Sequence, residues 1–256
     1  MKHSIISLLL SASVSVHVLA NNNIIGGIET QIAEFQYLVS LGTSMHRCGG
    51  TILDANHILT AAHCVEGETP DRLKIRVGSS MHNAGGTVSG VANITQHPGF
   101  AFENFKNDIA VLKLDSSLQF GLGEAVATVK LPSSANPPAT GTKCSVVGWG
   151  VTTPDGTTLS PNPNVVNVDI TDHGRCEEQY AKLREVDDNM ICAGTAEGGK
   201  DACKGDSGGP LIDAASGQQV GIVSWGLECG DPGQDGVYTT VAAYLDWIEA
   251  ARNAPP

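Results

Sequence analysis

The stretch Gly205-Asp206-Ser207-Gly208-Gly209-Pro210 places one serine inside a turn that contains three glycines. A backbone this tight can direct two amide N–H groups at a single point beside the serine hydroxyl. That arrangement indicates a nucleophile next to an oxyanion hole. Glycine-rich turns that carry a serine are also common in loops without chemistry, so this stretch by itself favours neither interpretation.

Two upstream segments decide between these interpretations. A histidine lies in Thr60-Ala61-Ala62-His63-Cys64, and an acid precedes a strand-like run in Asn107-Asp108-Ile109-Ala110-Val111-Leu112. A serine hydroxyl becomes a nucleophile when a neutral imidazole accepts its proton, and a carboxylate must orient that imidazole. A single histidine in such a run would more often be packed or exposed. Three matching segments in the order His, Asp, Ser predict His63, Asp108 and Ser207 as catalytic residues.

With these residues the chain resembles the chymotrypsin and trypsin family of secreted serine proteases, and the matching segments run from Ile24 to about Trp247. The resemblance implies an all-β, chymotrypsin-like fold of two Greek-key six-stranded β-barrels followed by a C-terminal helix. His63 and Asp108 would lie on the first barrel and Ser207 on the second. The active site would then occupy the cleft between the barrels.

The local pattern of the chain agrees with an all-β fold. Short apolar runs are separated by Gly, Pro, Asn and Asp, which is typical of strands joined by turns. These runs are residues 37–41, 57–60, 74–77 and 221–225. Helices are predicted at residues 174–183 and 242–251. The proline-rich stretch at residues 131–140 is predicted to cross between the two halves.

Composition limits the classes of partner. The net charge of -12 and the isoelectric point of about 4.9 argue against a nucleic-acid or anionic-membrane partner. A chain of 256 residues could form one large domain or two modest ones, each with a buried core. We expect a monomer whose partners are protein or peptide substrates and protein protease inhibitors.

The first twenty residues have the pattern of a signal peptide, with a basic start, an apolar middle and small residues at the end. An anchoring helix is the alternative, but the apolar run is short and interrupted by serines. The predicted organisation is therefore a signal peptide at residues 1–20, a short propeptide at 21–23 and a trypsin-like protease domain at 24–256. We expect a secreted, extracellular protein.

The resemblance also implies activation by cleavage. Cleavage before Ile24 would free an α-amino group that inserts and pairs with Asp206, and the N–H groups of Gly205 and Ser207 would then form the oxyanion hole. The propeptide at residues 21–23 ends in Asn instead of Lys or Arg, so activation by the protein itself is not expected. Either a protease of another specificity cleaves there, or the signal peptide ends elsewhere.

The resemblance assigns the substrate pocket as well. Asp201 would lie at the base, where an acid pairs with a Lys or Arg side chain, beneath the open walls at Gly226 and Gly236. Ala202 stands where many relatives have Ser, so we expect Arg to be preferred to Lys, because a guanidinium can pair with the acid in a bidentate manner unaided. The remaining substrate-binding residues implied are Ser224 and Trp225, whose backbone would pair with the substrate, and Phe105, which would cap the adjacent subsite.

Seven cysteines in an exported chain predict disulfides, although spacing alone cannot assign the partners. The resemblance implies the pairs Cys48 with Cys64, Cys176 with Cys192, and Cys203 with Cys229. Cys144 is then left over, because the position of its usual partner is Asp213. A small, buried, inert thiol is favoured for Cys144 over a reactive one.

No metal and no cofactor are expected. The segment 79–83 lacks the glutamates of the calcium-binding loop found in many trypsins, and the remaining histidines show no ligand spacing.

Two departures from the family pattern near the pocket, Lys204 and Glu228, have no assigned effect. The alternative functions are a catalytically silent binding protein of the same fold and a protease of broader specificity; the complete triad argues against the first, and Asp201 argues against the second.

Overall fold

The computed structural model describes residues 24–121 and 125–254. The predicted signal peptide at residues 1–20 and the predicted propeptide at 21–23 lie outside the described residues. Within the described ranges, no helix has both the length and the apolar character needed to cross a bilayer.

The described part of the chain consists mostly of strands. In chain order they are β1 (Ile28–Glu29), β2 (Leu38–Gly42), β3 (His46–Asp54), β4 (His57–Thr60), β5 (Lys74–Val77), β6 (Thr87–Gln96), β7 (Ala110–Leu114), β8 (Lys143–Gly148), β9 (Asn164–Ile170), β10 (Met190–Gly194), β11 (Pro210–Asp213), β12 (Gln219–Trp225) and β13 (Gly236–Thr240). The α-helices are α1 (His173–Tyr180) and α2 (Leu245–Arg252). Short 3₁₀ helices occupy Ile32–Glu34, Ala62–Cys64, Pro70–Arg72 and Val241–Tyr244.

Strands β2 to β7 close into the first barrel, in the spatial order β2-β3-β4-β7-β6-β5. All neighbouring pairs are antiparallel, and the pairing of β2 with β5 completes the barrel. Its core is aliphatic; Ile58 on β4 lies opposite Leu112 on β7, and both are fully buried. Burying an aliphatic side chain of this size stabilises the fold by about 1.5–3 kcal/mol.

Strands β8 to β13 close into the second barrel. Strand β9 pairs with β8 on one side and with β10 on the other, and the order continues through β13, β12 and β11 back to β8. The short β1 extends β9 outside this ring, through the pair Ile28 and Val165. The predicted fold of two six-stranded β-barrels is confirmed, and the segment at residues 115–142 connects them.

The two predicted helices are present with shifted boundaries. The C-terminal segment begins as the 3₁₀ helix Val241–Tyr244 and becomes α2, which packs Ile248 and Ala251 against the core of the first barrel. Helix α1 ends at Tyr180, so the prediction that it reaches residue 183 was wrong at its C-terminal end. Leu183 is 60% exposed, and no buried face requires the helix to continue.

The disulfides form the three pairs that the resemblance implies: Cys48 with Cys64, Cys176 with Cys192, and Cys203 with Cys229. Cys144 is free and buried on β8, where it lies directly opposite Asp213 on β11. Burial raises the pKa of the Cys144 thiol to about 12. A thiol with such a pKa stays protonated at neutral pH and is a poor nucleophile.

Candidate active site

Strand pairing brings the predicted histidine and aspartate together. His63 lies on the 3₁₀ turn that follows β4, and Asp108 lies shortly before β7. Because β4 and β7 are antiparallel neighbours with Thr60 opposite Ala110, the two residues flank the same end of the pair. His63 Nδ1 lies 2.7 Å from Asp108 Oδ2, and the His63 backbone N–H donates to Asp108 Oδ1 at 2.8 Å. A carboxylate placed in this way holds the ring with Nε2 directed away from it.

The second barrel also binds Asp108, whose side chain is fully buried. Ser224 Oγ donates to Asp108 Oδ2 at 2.5 Å, and Thr239 Oγ1 donates to the Asp108 carbonyl oxygen at 2.9 Å. Sequence reasoning assigned only the backbone of Ser224 to a role and did not find Thr239. Ser224 lies on β12 and Thr239 on β13, so the second barrel holds the carboxylate through Ser224 and the Asp108 backbone through Thr239.

Ser207 lies in the turn before β11 and faces the first barrel. The Gly49 N–H donates to the Ser207 carbonyl at 2.8 Å. A Cβ on Gly208 would lie 2.3 Å from Thr60 Oγ1 and 3.1 Å from Cys64 Sγ, so glycine is required for this close approach. The serine turn therefore packs against the segment that carries His63.

The predicted proton-transfer pair, Ser207 and His63, is not hydrogen-bonded in this structure. Among the described residues, no hydrogen bond joins Ser207 Oγ to His63 Nε2, which lies 3.7 Å from Cys64 Sγ. Catalytic hydrogen bonds are often long without substrate and tighten in the complex.

The predicted oxyanion glycine is held in a left-handed conformation. Gly205 has φ +98, and its carbonyl accepts a hydrogen bond from His46 Nε2 at 2.9 Å. His46 Nδ1 lies 2.7 Å from Ser40 Oγ. Burial lowers the pKa of His46 to about 4, so the ring is neutral at physiological pH, with Nε2–H as donor and Nδ1 as acceptor. Sequence reasoning found only that His46 has no metal-ligand spacing, because no local pattern links it to a residue 159 positions later.

Asp206 is a fully buried carboxylate. Its oxygens accept hydrogen bonds from the Gly150 N–H at 2.8 Å and the Cys203 N–H at 3.0 Å. Burial raises the pKa of Asp206 to about 7, and the two backbone hydrogen bonds oppose this shift. No cationic side chain of the described residues forms an ion pair with it. Ile24, the predicted mature start, is fully buried in the core of the same barrel.

A cavity of about 260 Å³ extends from Ser207 to Asp201. Asp201 is 5% exposed, and its Oδ2 accepts a hydrogen bond from the Gly230 N–H at 3.1 Å. Asp201 Oδ1 is buried without a hydrogen-bond partner in the described chain. Burial raises the pKa of Asp201 to about 7. An unsatisfied carboxylate oxygen at the base of a cavity is suited to receive a cation.

Glycines form the open walls of this cavity. A Cβ on Gly236 would lie 2.8 Å from Asp201 Oδ1, so a side chain there would cover the acid. A Cβ on Gly226 would find its nearest neighbour 4.0 Å away and would project into open space. Ala202 lies on the wall without a hydroxyl, and the two departures from the family pattern, Lys204 and Glu228, also line the cavity.

Aromatic rings border the cleft beside the histidine. The Phe105 ring lies 5.3 Å from the His63 ring, and its backbone has φ 57, which is strained for a bulky residue. The Trp225 ring packs edge-on against Tyr180 at 4.8 Å. The guanidinium of Arg184, which sequence reasoning did not single out, lies over both Phe105 and Trp225.

The one grouping of potential metal ligands within the described ranges is Cys48, His63 and Cys64. The two cysteines form a disulfide, so they offer no thiolate, and His63 already contacts Asp108. These residues do not fit a resident metal ion.

Comparisons with known proteins cover both barrels. The family model described as Trypsin matches residues 24–248. Trypsin-1 of Astacus astacus is 41% identical over 243 residues, covering 89% of this chain and 99% of that relative. Vitellin-degrading protease of Bombyx mori is 39% identical over 244 residues, covering 94% and 89%. Cationic trypsin-3 of Rattus norvegicus is 36% identical over 229 residues, covering 90% and 89%.

The substitution Gly150→Ala is predicted to disrupt the support beneath the oxyanion turn. The added Cβ would lie 2.2 Å from Asp206 Oδ2, and this fully buried carboxylate is held by hydrogen bonds from the Gly150 and Cys203 N–H groups. We expect a loss of about 1–3 kcal/mol in the free energy of unfolding, measured by urea denaturation, together with loss of peptide-amide hydrolysis.

Gly174→Ala is the matched control. Its Cβ would meet only Asp172 Oδ1, at 3.5 Å, an ordinary contact. We expect native stability and hydrolysis from this variant. A Gly150→Ala protein as stable and active as the control would contradict the assigned packing around Asp206.

Proposed function

Because this chain belongs to the trypsin family of serine proteases and is a serine endopeptidase acting on proteins or peptides, we propose that it cleaves after Arg or Lys, with Arg preferred. The observation that carries this specificity is the unpaired Oδ1 of Asp201 at the base of the cavity. A guanidinium in the cavity would satisfy that oxygen and neutralise the charge. A neutral P1 side chain, the one preceding the cleaved bond, would leave both uncompensated.

The proposed mechanism is acyl transfer. Ser207 Oγ attacks the carbonyl carbon after P1 while its proton passes to His63 Nε2. The N–H groups of Gly205 and Ser207 stabilise the resulting oxyanion, an effect of about 3 kcal/mol per donor. His63 then protonates the leaving amine, and the acyl-enzyme remains. Water attacks the acyl carbon by the same steps, which releases the acid and restores Ser207.

The buried environment of Asp108 supports this assignment. A carboxylate that contacts His63 through both oxygens, and accepts from Ser224 as well, fixes the ring tautomer and stabilises the imidazolium that forms. Asp108 thus remains an orienting anion, and no proton needs to reach it.

The absence of a hydroxyl at Ala202 supports the preference for Arg. An arginine side chain can donate two hydrogen bonds to the Asp201 carboxylate through its planar fork. The shorter, point-like ammonium of Lys would need an additional oxygen ligand on the wall, and Ala202 supplies none.

A panel of peptide amides that differ only at P1 tests the specificity. We expect hydrolysis with Arg and, more slowly, with Lys, and little with Phe or Ala; Ser207→Ala should abolish all turnover. Ala202→Ser should narrow the ratio of Arg to Lys in kcat/KM while leaving the triad unchanged. Equal or faster turnover of the Lys amide by the native enzyme would reject the Arg preference, and efficient turnover of Phe or Ala would favour broader specificity.

The raised pKa of Asp201, about 7, predicts a pH-dependent KM. As the pH falls through this value the carboxyl gains a proton and loses its attraction for the cation. KM for the Arg amide should therefore rise on the acid side and be lowest above about pH 8, where the carboxylate is ionised. Asp201→Asn should bind the Arg amide weakly at every pH, with a KM that no longer follows this titration. A native KM independent of pH would contradict the role of Asp201.

We further propose that the protein is secreted and made as a zymogen, with residues 1–20 as signal peptide and 21–23 as propeptide. The sequence pattern of residues 1–20 supports secretion. The buried, cation-free carboxylate of Asp206 and the burial of Ile24 in the same barrel support the zymogen. A free α-amino group at Ile24 would supply the missing positive charge. That pairing would hold the Asp206 turn and align the N–H groups of the oxyanion hole.

Sequencing the amino terminus of the active enzyme tests this activation step. We expect active protein to begin at Ile24 and uncleaved protein to be inactive. Asp206→Asn should leave the protein inactive even after cleavage, because the new amino group would lack its partner. An active enzyme with any other first residue would overturn the insertion model without affecting the assignment of the pocket.

A further inference from the structure

Arg184 occupies an unusual position at the edge of the cleft. It lies in the loop after α1, and its guanidinium carbon is 4.4 Å from the Phe105 ring centroid and 4.9 Å from the Trp225 ring centroid. Both distances are within the range of a cation–π contact, and the side chain is half-buried. The two rings therefore hold the guanidinium in one place.

The charge of Arg184 has no partner within the described chain. No carboxylate lies within 4.0 Å of its guanidinium, although acids are nearby in sequence. Those acids pair elsewhere: Glu185 contacts Lys106 at 2.9 Å, and Asp187 lies 3.9 Å from the same ammonium. An arginine retains its charge in proteins, so Arg184 presents at the edge of the cleft a cation that forms no ion pair with a described carboxylate.

Partial burial makes this cation receptive to an anion. Desolvation lowers the pKa of the Arg184 guanidinium, while the charge of Asp108 opposes that shift. A partly desolvated charge interacts more strongly with an incoming carboxylate than a fully exposed one does. The overall charge of the protein is -12, so Arg184 is a local exception on an acidic molecule.

The position of Arg184 along the substrate follows from strand geometry. Phe105 contacts the catalytic His63, so it borders the side chain next to P1, namely P2. A substrate paired with the backbone at Trp225 is extended, and side chains two residues apart face the same side. The P4 side chain therefore faces the same side as the P2 side chain, two residues further from the scissile bond. Arg184, which contacts both Phe105 and Trp225, lies on that side.

We propose that Arg184, held between Phe105 and Trp225, is a specificity-determining residue that selects substrates with Asp or Glu at P4. The P4 carboxylate accepts two hydrogen bonds from the planar guanidinium in a bidentate pair. The same guanidinium fills the space between the rings and disfavours a large apolar P4 side chain. This inference rests on the proposed cleavage after Arg or Lys, since that cleavage defines where P4 lies.

Matched peptide amides with Arg at P1 test the proposal, with Glu, Gln or Leu at P4 and all other positions constant. For the native enzyme we expect kcat/KM with Glu to exceed that with Gln by about fivefold at low salt, which corresponds to the upper end of the range for exposed ion pairs. The ratio should fall towards one as ionic strength rises from about 0.02 M to about 0.5 M, because salt screens a partly exposed pair. Leu should be the poorest of the three.

The matched variants are Arg184→Gln and Lys182→Gln, which each remove one positive charge from the same loop. Lys182 is exposed and forms no ion pair within the described ranges, so its variant should keep the full preference for Glu. Arg184→Gln should bring the Glu to Gln ratio of kcat/KM to about one. Arg184→Lys should restore part of the preference, because the charge returns without the bidentate fork.

A ratio of kcat/KM near one between the Glu and Gln amides in the native enzyme would overturn the proposal. A preference for the Glu amide that survives in Arg184→Gln would also overturn it. Binding of the fluorescently labelled Glu and Gln peptides to the Ser207→Ala protein gives the same comparison without turnover. Failure of every amide to be hydrolysed would refute the proposed cleavage specificity, and tighter binding of the Glu peptide that depends on Arg184 would still support Arg184 as the site that binds its carboxylate. Equal binding of the two peptides would refute the subsite alone.

Discussion

The site depends on one buried carboxylate that both barrels bind. The Asp108 carboxylate receives hydrogen bonds from His63 on the first barrel and from Ser224 on the second, and Thr239 on the second barrel donates to the Asp108 backbone carbonyl. An ionised carboxylate removed from water is costly unless several donors surround it. Because those donors come from two independently closed barrels, the barrels must dock in one relative position to supply them. That position also defines the cleft.

Close backbone approach at glycines makes this docking possible. The Gly49 N–H donates to the Ser207 carbonyl, and Gly208 leaves room for Thr60 and for the disulfide sulfur of Cys64. Within the second barrel, Gly148 and Gly150 leave room for the Asp206 carboxylate, since a Cβ on either would lie 2.2 Å from one of its oxygens. The serine turn is therefore shaped from both sides by the absence of side chains, which explains why its sequence is so rich in glycine.

Three charged groups in or near the cleft lack an internal partner of opposite charge. Asp201 and Asp206 are both buried with pKa values raised to about 7, and each lacks a cation in the described chain. Arg184 is the converse, a half-buried cation without an acid. Each of these unpaired groups faces a position that a substrate or a new amino terminus could occupy. Burial without an internal partner is a common sign of a group whose partner arrives from elsewhere.

Residues that are close in sequence could be identified from the sequence, because their signal is a local pattern. The serine turn and the segment around His63 are short motifs, and strands such as β4 and β5 follow directly from apolar runs between turn residues. The boundaries of the helices were less predictable from the sequence. Helix α1 ends at Tyr180 because nothing buries Leu183, and that depends on the surroundings of the loop and not on its composition.

The sequence by itself predicted the nucleophile with its histidine and aspartate and, through the family resemblance, the acid at the base of the pocket and the pairing of six cysteines, of which the cysteine pairs are confirmed. Only the tertiary structure revealed that His46 binds the Gly205 carbonyl, that Thr239 supports Asp108, and that Arg184 lies between two rings. The physical reason is that these contacts join residues far apart in the chain. Their geometry exists only after both barrels have closed and docked, so no local pattern of residues encodes it.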